Sequence, residues 1–103
     1  MSINSKEDVV VCLAANCENI YRLGVKTLAI FGSFVRGEGR VESDVDFIVE
    51  FFPGKKTFDN FMKLSFFLED ILGRPVDLVT PESLSPHIGT QILEEAENVL
   101  LAA

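Results

Sequence analysis

Hydrophobic residues recur along the chain at two spacings, which separate predicted helices from predicted strands. Apolar residues follow a helical spacing over residues 5–23, 58–72 and 87–101. β-Branched and apolar runs bounded by glycine or proline predict strands over residues 25–31, 45–51 and 75–79. A short helical turn is predicted at 34–37, after the glycine that follows the first strand. This order of elements predicts an α/β fold, a small mixed β-sheet with helices packed on it.

Residues that favour helix ends lie at the boundaries of two predicted helices. Ser5, followed three residues later by Asp8, is typical of a capping box, and Gly24 is typical of a C-terminal cap. Thr57 and Gly73 occupy the corresponding positions around the second helix. These residues support the predicted limits of both helices.

The helix predicted over 58–72 is apolar over a wider arc than the single stripe of an ordinary surface helix. Its wholly polar sector is narrow and includes Asp59 and Lys63. Leu64 and Phe67 lie away from the main apolar face. Both residues suit packing in the core as well as a surface for a partner protein.

Length and charge limit the kind of protein that these elements form. A chain of 103 residues predicts a single domain over 1–103, with one core. Nine Lys and Arg against sixteen Asp and Glu give a net charge of −7. We therefore expect no direct nucleic-acid binding, because phosphate affinity normally comes from clustered cations. Hydrophobic residues make up 48% of the chain, including nine Phe, and this high load for a small domain suits a partner surface.

We expect neither export nor membrane insertion. No apolar run approaches the roughly 20 residues that cross a bilayer. The polar N-terminus, Met1 to Asp8, lacks the pattern of a signal peptide. Cys12 and Cys17 are five residues apart, which suits neither an internal disulfide nor a zinc site. The prediction is a cytoplasmic protein with two reduced thiols and no membrane partner.

Gly32 and Ser33 directly follow the first predicted strand and open the short helical turn. A glycine lets a phosphate approach the backbone, and the N–H groups at a helix start favour an anion. The pair is therefore a candidate phosphate-binding turn. The alternative is an ordinary turn, since Gly-Ser is common after a strand.

Three aspartates are candidate metal ligands. Residues i and i+2 of a strand point to one face, so Asp44 and Asp46 present two carboxylates side by side. Like charges this close need a cation, and Mg²⁺ prefers carboxylate oxygens. Asp77 lies in an otherwise apolar strand, where an acid is costly unless it faces the same site. The alternatives are exposed acids at a strand start and an acid at a sheet edge.

The Gly-Ser pair, the Asp-x-Asp motif ten residues later and the lone strand aspartate together resemble the minimal nucleotidyltransferase family of the DNA polymerase β-like superfamily. The matching segments are residues 32–37, 43–49 and 75–79. The resemblance implies a polymerase β-like core. It also implies in-line attack of an acceptor hydroxyl on the α-phosphorus of a nucleoside triphosphate, with release of pyrophosphate.

The resemblance assigns the three aspartates to metal and catalysis. Asp44 and Asp46 are implied to bind two Mg²⁺, and Asp77 to complete one metal site. Asp77 is also implied to help deprotonate the acceptor hydroxyl. Two metal ions would clamp the attacking and leaving oxygens and neutralise the charge that develops there.

The nucleotide-binding residues implied by the resemblance are Gly32, Ser33 and Arg36. Gly32 and Ser33 are implied to hold the β- and γ-phosphates. For Arg36 two roles stay open: a cationic contact to the triphosphate, or a brace within the loop that pairs with an acid.

Stand-alone proteins of the resembling family accompany a small helical HEPN protein in a toxin–antitoxin module. The resemblance implies an antitoxin that transfers AMP from ATP to a tyrosine hydroxyl of a HEPN ribonuclease toxin. The partner would supply the acceptor site, since a chain of 103 residues leaves no room for an acceptor domain. The alternatives are an antitoxin that acts by binding alone, and an antibiotic-type nucleotidyltransferase that needs a second subunit. The oligomeric state stays open, a homo-oligomer included.

Overall fold

The computed structural model describes residues 3–37 and 44–100. Within these residues the helices are α1 (Lys6–Ala15), α2 (Cys17–Arg22), α3 (Phe58–Leu72) and α4 (Pro86–Glu95). The strands are β1 (Val25–Phe31), β2 (Val45–Phe51), β3 (Val76–Val79) and β4 (Glu97–Asn98). Short 3-10 turns cover Gly32–Phe34 and Pro81–Ser83. The predicted α/β class is confirmed, as are β1, β2 and α3 with their predicted limits.

The described strands form one mixed sheet in the order β3-β2-β1-β4. β1 pairs antiparallel with β2 on one side and with β4 on the other, whereas β2 and β3 run parallel. In this register Asp46 lies opposite Phe31 of β1 and opposite Asp77 of β3. The sheet therefore brings two of the predicted site residues onto neighbouring strands.

The hydrophobic core lies on one face of the sheet. Phe47 and Val49 alternate along β2 and are fully buried, together with Leu64 and Leu68 of α3. Ile48 points to the opposite face and is buried there outside this core cluster. Burial of one face of β2 follows from the alternation of side chains along a strand.

Helix α3 packs its leucines into the core and leaves other apolar residues outside. Leu64 is fully buried and Phe67 is partly buried against the core, so core packing holds for both. Phe58 and Phe66 are 82% and 62% exposed. The wide apolar arc therefore contains both a core face and exposed phenylalanines.

The single helix predicted over 5–23 is wrong, because α1 ends at Ala15 and α2 begins at Cys17. Asn16 between them has φ −120° and ψ 13°. Its side-chain Nδ2 donates to the Cys12 carbonyl at 2.8 Å. That carbonyl is the acceptor that the Asn16 amide would use in a continuous helix, so the side chain replaces the backbone there.

The helix predicted over 87–101 is also wrong beyond Glu95. Ala96 adopts extended backbone angles, and Glu97–Asn98 pair with Ala29 and Ile30 of β1 as β4. The Val99 amide then donates to the Leu28 carbonyl at 2.9 Å. Tertiary pairing overrides the helical spacing here, since Val99 is buried just as well from an extended segment. Residue 101 lies outside the described residues.

Two smaller predictions have different outcomes. The turn predicted at 34–37 begins two residues earlier, because the Gly32 carbonyl accepts from the Val35 and Arg36 amides. Cys12 and Cys17 are free thiols, as predicted. No helix in residues 3–37 and 44–100 combines the length and apolar character that crossing a membrane requires.

Candidate active site

Asp46 and Asp77 form the centre of the candidate site. They occupy paired positions on the parallel strands β2 and β3, where side chains at the same register point to one face. Neighbouring strands are about 4.8 Å apart, which brings the two carboxylates close together. Asp44 is exposed and directly precedes β2. Its neighbour Ser43, which belongs to the matching segment 43–49, lies outside the described residues.

The charges around Asp46 show which side chains share this site. Partial burial raises the pKa of Asp46 to about 6, and the carboxylates of Asp77 and Asp44 add to the rise. Glu95 acts in the same direction, whereas the Arg36 guanidinium opposes it. Four acids and one cation therefore interact where β2 and β3 begin; we call the four acids, Asp44, Asp46, Asp77 and Glu95, the acid edge. A cation placed there would favour the charged form of Asp46.

The Gly32 turn lies directly against Asp46. Gly32 is buried and has a φ of +78°, a conformation that glycine adopts without strain. A Cβ at this position would overlap Oδ2 of Asp46. The predicted Gly-Ser turn and the predicted acids are therefore in contact, with Ser33 the next residue of the same 3-10 turn.

Glu95 joins the turn to Arg36 and was not predicted from the sequence. Its Oε2 accepts from the Gly32 amide at 3.1 Å, and its Oε1 accepts from Arg36 Nη1 at 2.6 Å. Desolvation acts to raise the pKa of Glu95, but the hydrogen bonds from Arg36 and Gly32 outweigh it and lower the pKa. The pairing of Arg36 with an acid, one of the two roles left open for it, is confirmed.

A groove lies on the face of the sheet to which Asp46 points. It has a volume of about 290 Å³, and Ala29, Ile48 and Leu93 contribute to its apolar part. Ile48 is two residues from Asp46 on β2, and Ala29 is its partner on β1. Asp46 therefore shares a face of the sheet with a space of the size that an organic group occupies.

The carboxylates fit a metal ion that needs few protein ligands. Within residues 3–37 and 44–100, no group of three or more His, Cys, Asp and Glu side chains is arranged to hold a metal ion by itself. Mg²⁺ usually takes one or two carboxylates and completes its octahedron with water and substrate phosphates. Asp46 and Asp77 supply that number, beside a turn suited to phosphates.

Comparison with known proteins gives the family of this site. The family model of the nucleotidyltransferase domain matches residues 12–99. The chain belongs to this family. It is a nucleotidyltransferase, and the matched range contains the Gly32 turn and all three predicted aspartates.

Relatives of this nucleotidyltransferase narrow the family further. Protein adenylyltransferase MntA of Thermococcus cleftensis is 36% identical over 96 residues, which cover 92% of this chain and 96% of the relative. A solved structure assigned as a minimal nucleotidyltransferase is 36% identical, has a TM-score of 0.71, and is matched over 85% of this chain and 93% of its own. The fold is thus that of a minimal nucleotidyltransferase.

A third match shares the fold at lower identity. It comes from the complex of the tri-AMPylated HEPN toxin of Shewanella oneidensis with the MNT antitoxin. Its TM-score is 0.55 at 21% identity, over 82% of this nucleotidyltransferase and 69% of the matched chain. At this identity the likeness establishes the fold alone.

Proposed function

We propose that this nucleotidyltransferase is a Mg²⁺-dependent protein adenylyltransferase, which transfers AMP from ATP to a hydroxyl, that of a tyrosine, on a partner HEPN toxin and so acts as its antitoxin. The observation that carries the proposal is the contact of the Gly32 turn with Asp46, beside Asp77 on the next strand. A relative named protein adenylyltransferase and a structural neighbour solved as an antitoxin with an AMPylated HEPN toxin support it.

In this proposal the three aspartates serve the metal and the acceptor. Asp44 and Asp46 would hold Mg²⁺ and Asp77 would complete the ligand set, together with water and the phosphates of the nucleotide. When bound, Mg²⁺ supplies positive charge to the phosphate oxygens that become more negative during transfer. Asp77 would also help to take the proton of the acceptor hydroxyl as the oxygen attacks, and its exposure on β3 leaves it accessible to that hydroxyl.

The Gly32 turn and Arg36 receive the phosphates of the nucleotide. The acceptor oxygen forms a bond to the α-phosphorus of ATP, and the bond from that phosphorus to the bridging oxygen breaks. Pyrophosphate leaves with the electron pair of that bond. Arg36, Gly32 and Ser33 hold the β- and γ-phosphates that become this leaving group. The use of ATP as donor is consistent with a protein of the cytoplasm.

The proposal is tested by incubating the purified protein with ATP, Mg²⁺ and the product of the adjacent gene, the expected HEPN toxin, and then measuring the mass of that product. We expect a gain of one or more AMP units on a tyrosine. Removing a metal-ligating carboxylate costs several kcal/mol of transition-state stabilisation, so Asp46→Ala should slow transfer by about 1,000-fold.

Glu50→Gln is the matched control, since Glu50 lies four residues from Asp46 on the same face of β2 and is exposed. It should transfer AMP at the wild-type rate. An unchanged partner mass with the wild-type protein contradicts the proposed transfer. Full neutralisation of the toxin by Asp46→Ala would instead show that binding alone is sufficient.

A further inference from the structure

Glu95 is hydrogen-bonded to two residues far from it in sequence, Gly32 and Arg36, which lie 63 and 59 residues earlier. Its two carboxylate oxygens bind different donors, the Gly32 amide at 3.1 Å and the Arg36 guanidinium at 2.6 Å. Both donors belong to the turn that follows β1. A single side chain from the other end of the chain therefore spans that turn.

The carboxylate is held on a rigid frame. Glu95 is the last residue of α4, and Ala96 immediately turns into the extended backbone of β4. β4 pairs with Ala29 and Ile30 of β1, the strand that leads into the Gly32 turn. Glu95 is therefore fixed between a helix and a strand, and a side chain fixed on both sides orients its partners with little freedom.

Stability of α4 does not account for an acid at this position. A carboxylate at a helix C-terminus is unfavourable, because the helix dipole is negative there. The last turn of α4 contains no basic residue to compensate. Glu95 also lies close enough to Asp46 to disfavour its charged form. A neutral residue would avoid both costs, so the reason for this acid lies in the donors that it binds.

We propose that Glu95 is a positioning residue for the nucleotide, one that acts through Gly32 and Arg36 without touching the nucleotide itself. By accepting from both donors, it fixes the spacing between the turn and the guanidinium that receive the phosphates. This inference rests on the proposed nucleotide site at Gly32 and Arg36, but it does not depend on what the acceptor is.

Calorimetric titration with AMP-PNP and Mg²⁺ tests this role without a partner protein. Glu95→Ala removes both hydrogen bonds and should weaken AMP-PNP binding by about ten-fold, since a charge-assisted hydrogen bond contributes on that scale. Glu95→Gln keeps the shape and one acceptor oxygen, so its loss should be smaller. In steady-state transfer, the KM for ATP should rise more than kcat falls.

Glu97→Ala is the matched control. Glu97 is two residues away and also pairs with a cation, Lys6, at 3.0 Å, but it lies in β4 and this ion pair is distinct from the Glu95–Arg36 pair. It should bind AMP-PNP like the wild type. Thermal unfolding of all variants, without nucleotide, separates a loss of affinity from a loss of folded protein.

The possible outcomes are distinct. Wild-type affinity in a folded Glu95→Ala variant would overturn the inference and leave Glu95 a structural residue. Tighter binding would overturn it too, because Glu95 would then compete with the phosphates. No AMP-PNP binding by the wild type would reject the nucleotide site and the inference together. Normal wild-type binding without AMP transfer to the HEPN protein would reject the proposed function alone.

Discussion

Strand β2 separates two regions of opposite chemistry. Phe47 and its neighbours on one face are fully buried in a continuous apolar core, which includes Leu68 of α3. Asp46, one residue earlier, points to the other face and shares its surroundings with Asp77, Asp44 and Glu95. The first region consists of apolar side chains, which are stabilised by their removal from water. The second consists mostly of groups that repel one another.

This difference separates the residues that stabilise the fold from the residues proposed to carry out its nucleotide chemistry. Burial of leucine and phenylalanine side chains contributes about 1.5–3 kcal/mol each, whatever their exact partners. Burial, together with the carboxylates of Asp77 and Asp44, raises the pKa of Asp46, so the charged form of the acid edge is unfavourable without a cation. We therefore expect core variants to change stability, and variants of the acid edge to change nucleotide chemistry.

Leu68→Ala should have the largest effect on stability. Leu68 is fully buried, and truncating such a side chain costs about 3 kcal/mol of unfolding free energy, because transfer and cavity terms add. Urea denaturation measures this loss. At a temperature where the variant is folded, its affinity for AMP-PNP should equal that of the wild type.

Phe66→Ala is the control on the same helix. Phe66 is 62% exposed, so its truncation should change the unfolding free energy by less than about 0.5 kcal/mol. If Leu68→Ala also lost affinity for AMP-PNP, the two faces of β2 would be coupled and the division between them would fail.

Gly32→Ala tests the contact between the turn and the acid edge. Gly32 and Gly37 have similar positive φ values, +78° and +74°, so alanine is strained at both. At Gly32 the new Cβ also overlaps Oδ2 of Asp46, whereas at Gly37 no atom of residues 3–37 and 44–100 lies within 4 Å. We expect a cost of about 2 kcal/mol for Gly32→Ala and about 1 kcal/mol for Gly37→Ala.

The same pair of variants also separates strain from catalysis. Gly32→Ala should displace Asp46 and greatly reduce AMP transfer, which is measured on folded protein. Gly37→Ala should keep most of the activity. Equal activity of the two variants would show that the close approach of the turn to Asp46 is not needed.

The elements that could be predicted from sequence are those with local signals. Helix α3 has Thr57 as its N-cap and Gly73 in the left-handed conformation that ends it, and both residues were recognisable. The helix breaks at Asn16 and Ala96 had no such signal. At Asn16 the side chain donates to a backbone carbonyl that a continuous helix would pair with an amide. After Ala96 the chain pairs with β1 as strand β4.

The candidate site divides in a similar way. Local spacing pointed to Gly32, Asp44 and Asp46, since their motifs are contiguous. The register that sets Asp77 opposite Asp46 depends on the pairing of two strands, and only the structure supplies it. Glu95 is one of several glutamates near the end of the chain. It differs from them only because α4 ends there and aims its carboxylate at Gly32 and Arg36.

Asp46→Asn should change stability less than Leu68→Ala or Gly32→Ala, and in the opposite direction to both. In the folded protein the pKa of Asp46 lies at about 6, above its ordinary value of 3.8. The native state therefore binds the proton more tightly than the unfolded chain, and stability decreases as pH rises between these values. Asp46→Asn removes that penalty. After allowance for screening at a partly exposed site, it should gain about 1 kcal/mol at pH 7 without Mg²⁺.

Urea denaturation at two pH values tests the sign of this effect. Below pH 3.8 the wild-type carboxyl is protonated in both states, so the advantage of Asp46→Asn should disappear. Added Mg²⁺ should stabilise the wild type more than the variant, because the ion binds the native carboxylates. A variant that is less stable than the wild type at pH 7 would mean that Asp46 supports the fold. The division of β2 into an apolar face that stabilises the fold and an acidic face that does not would then fail at Asp46.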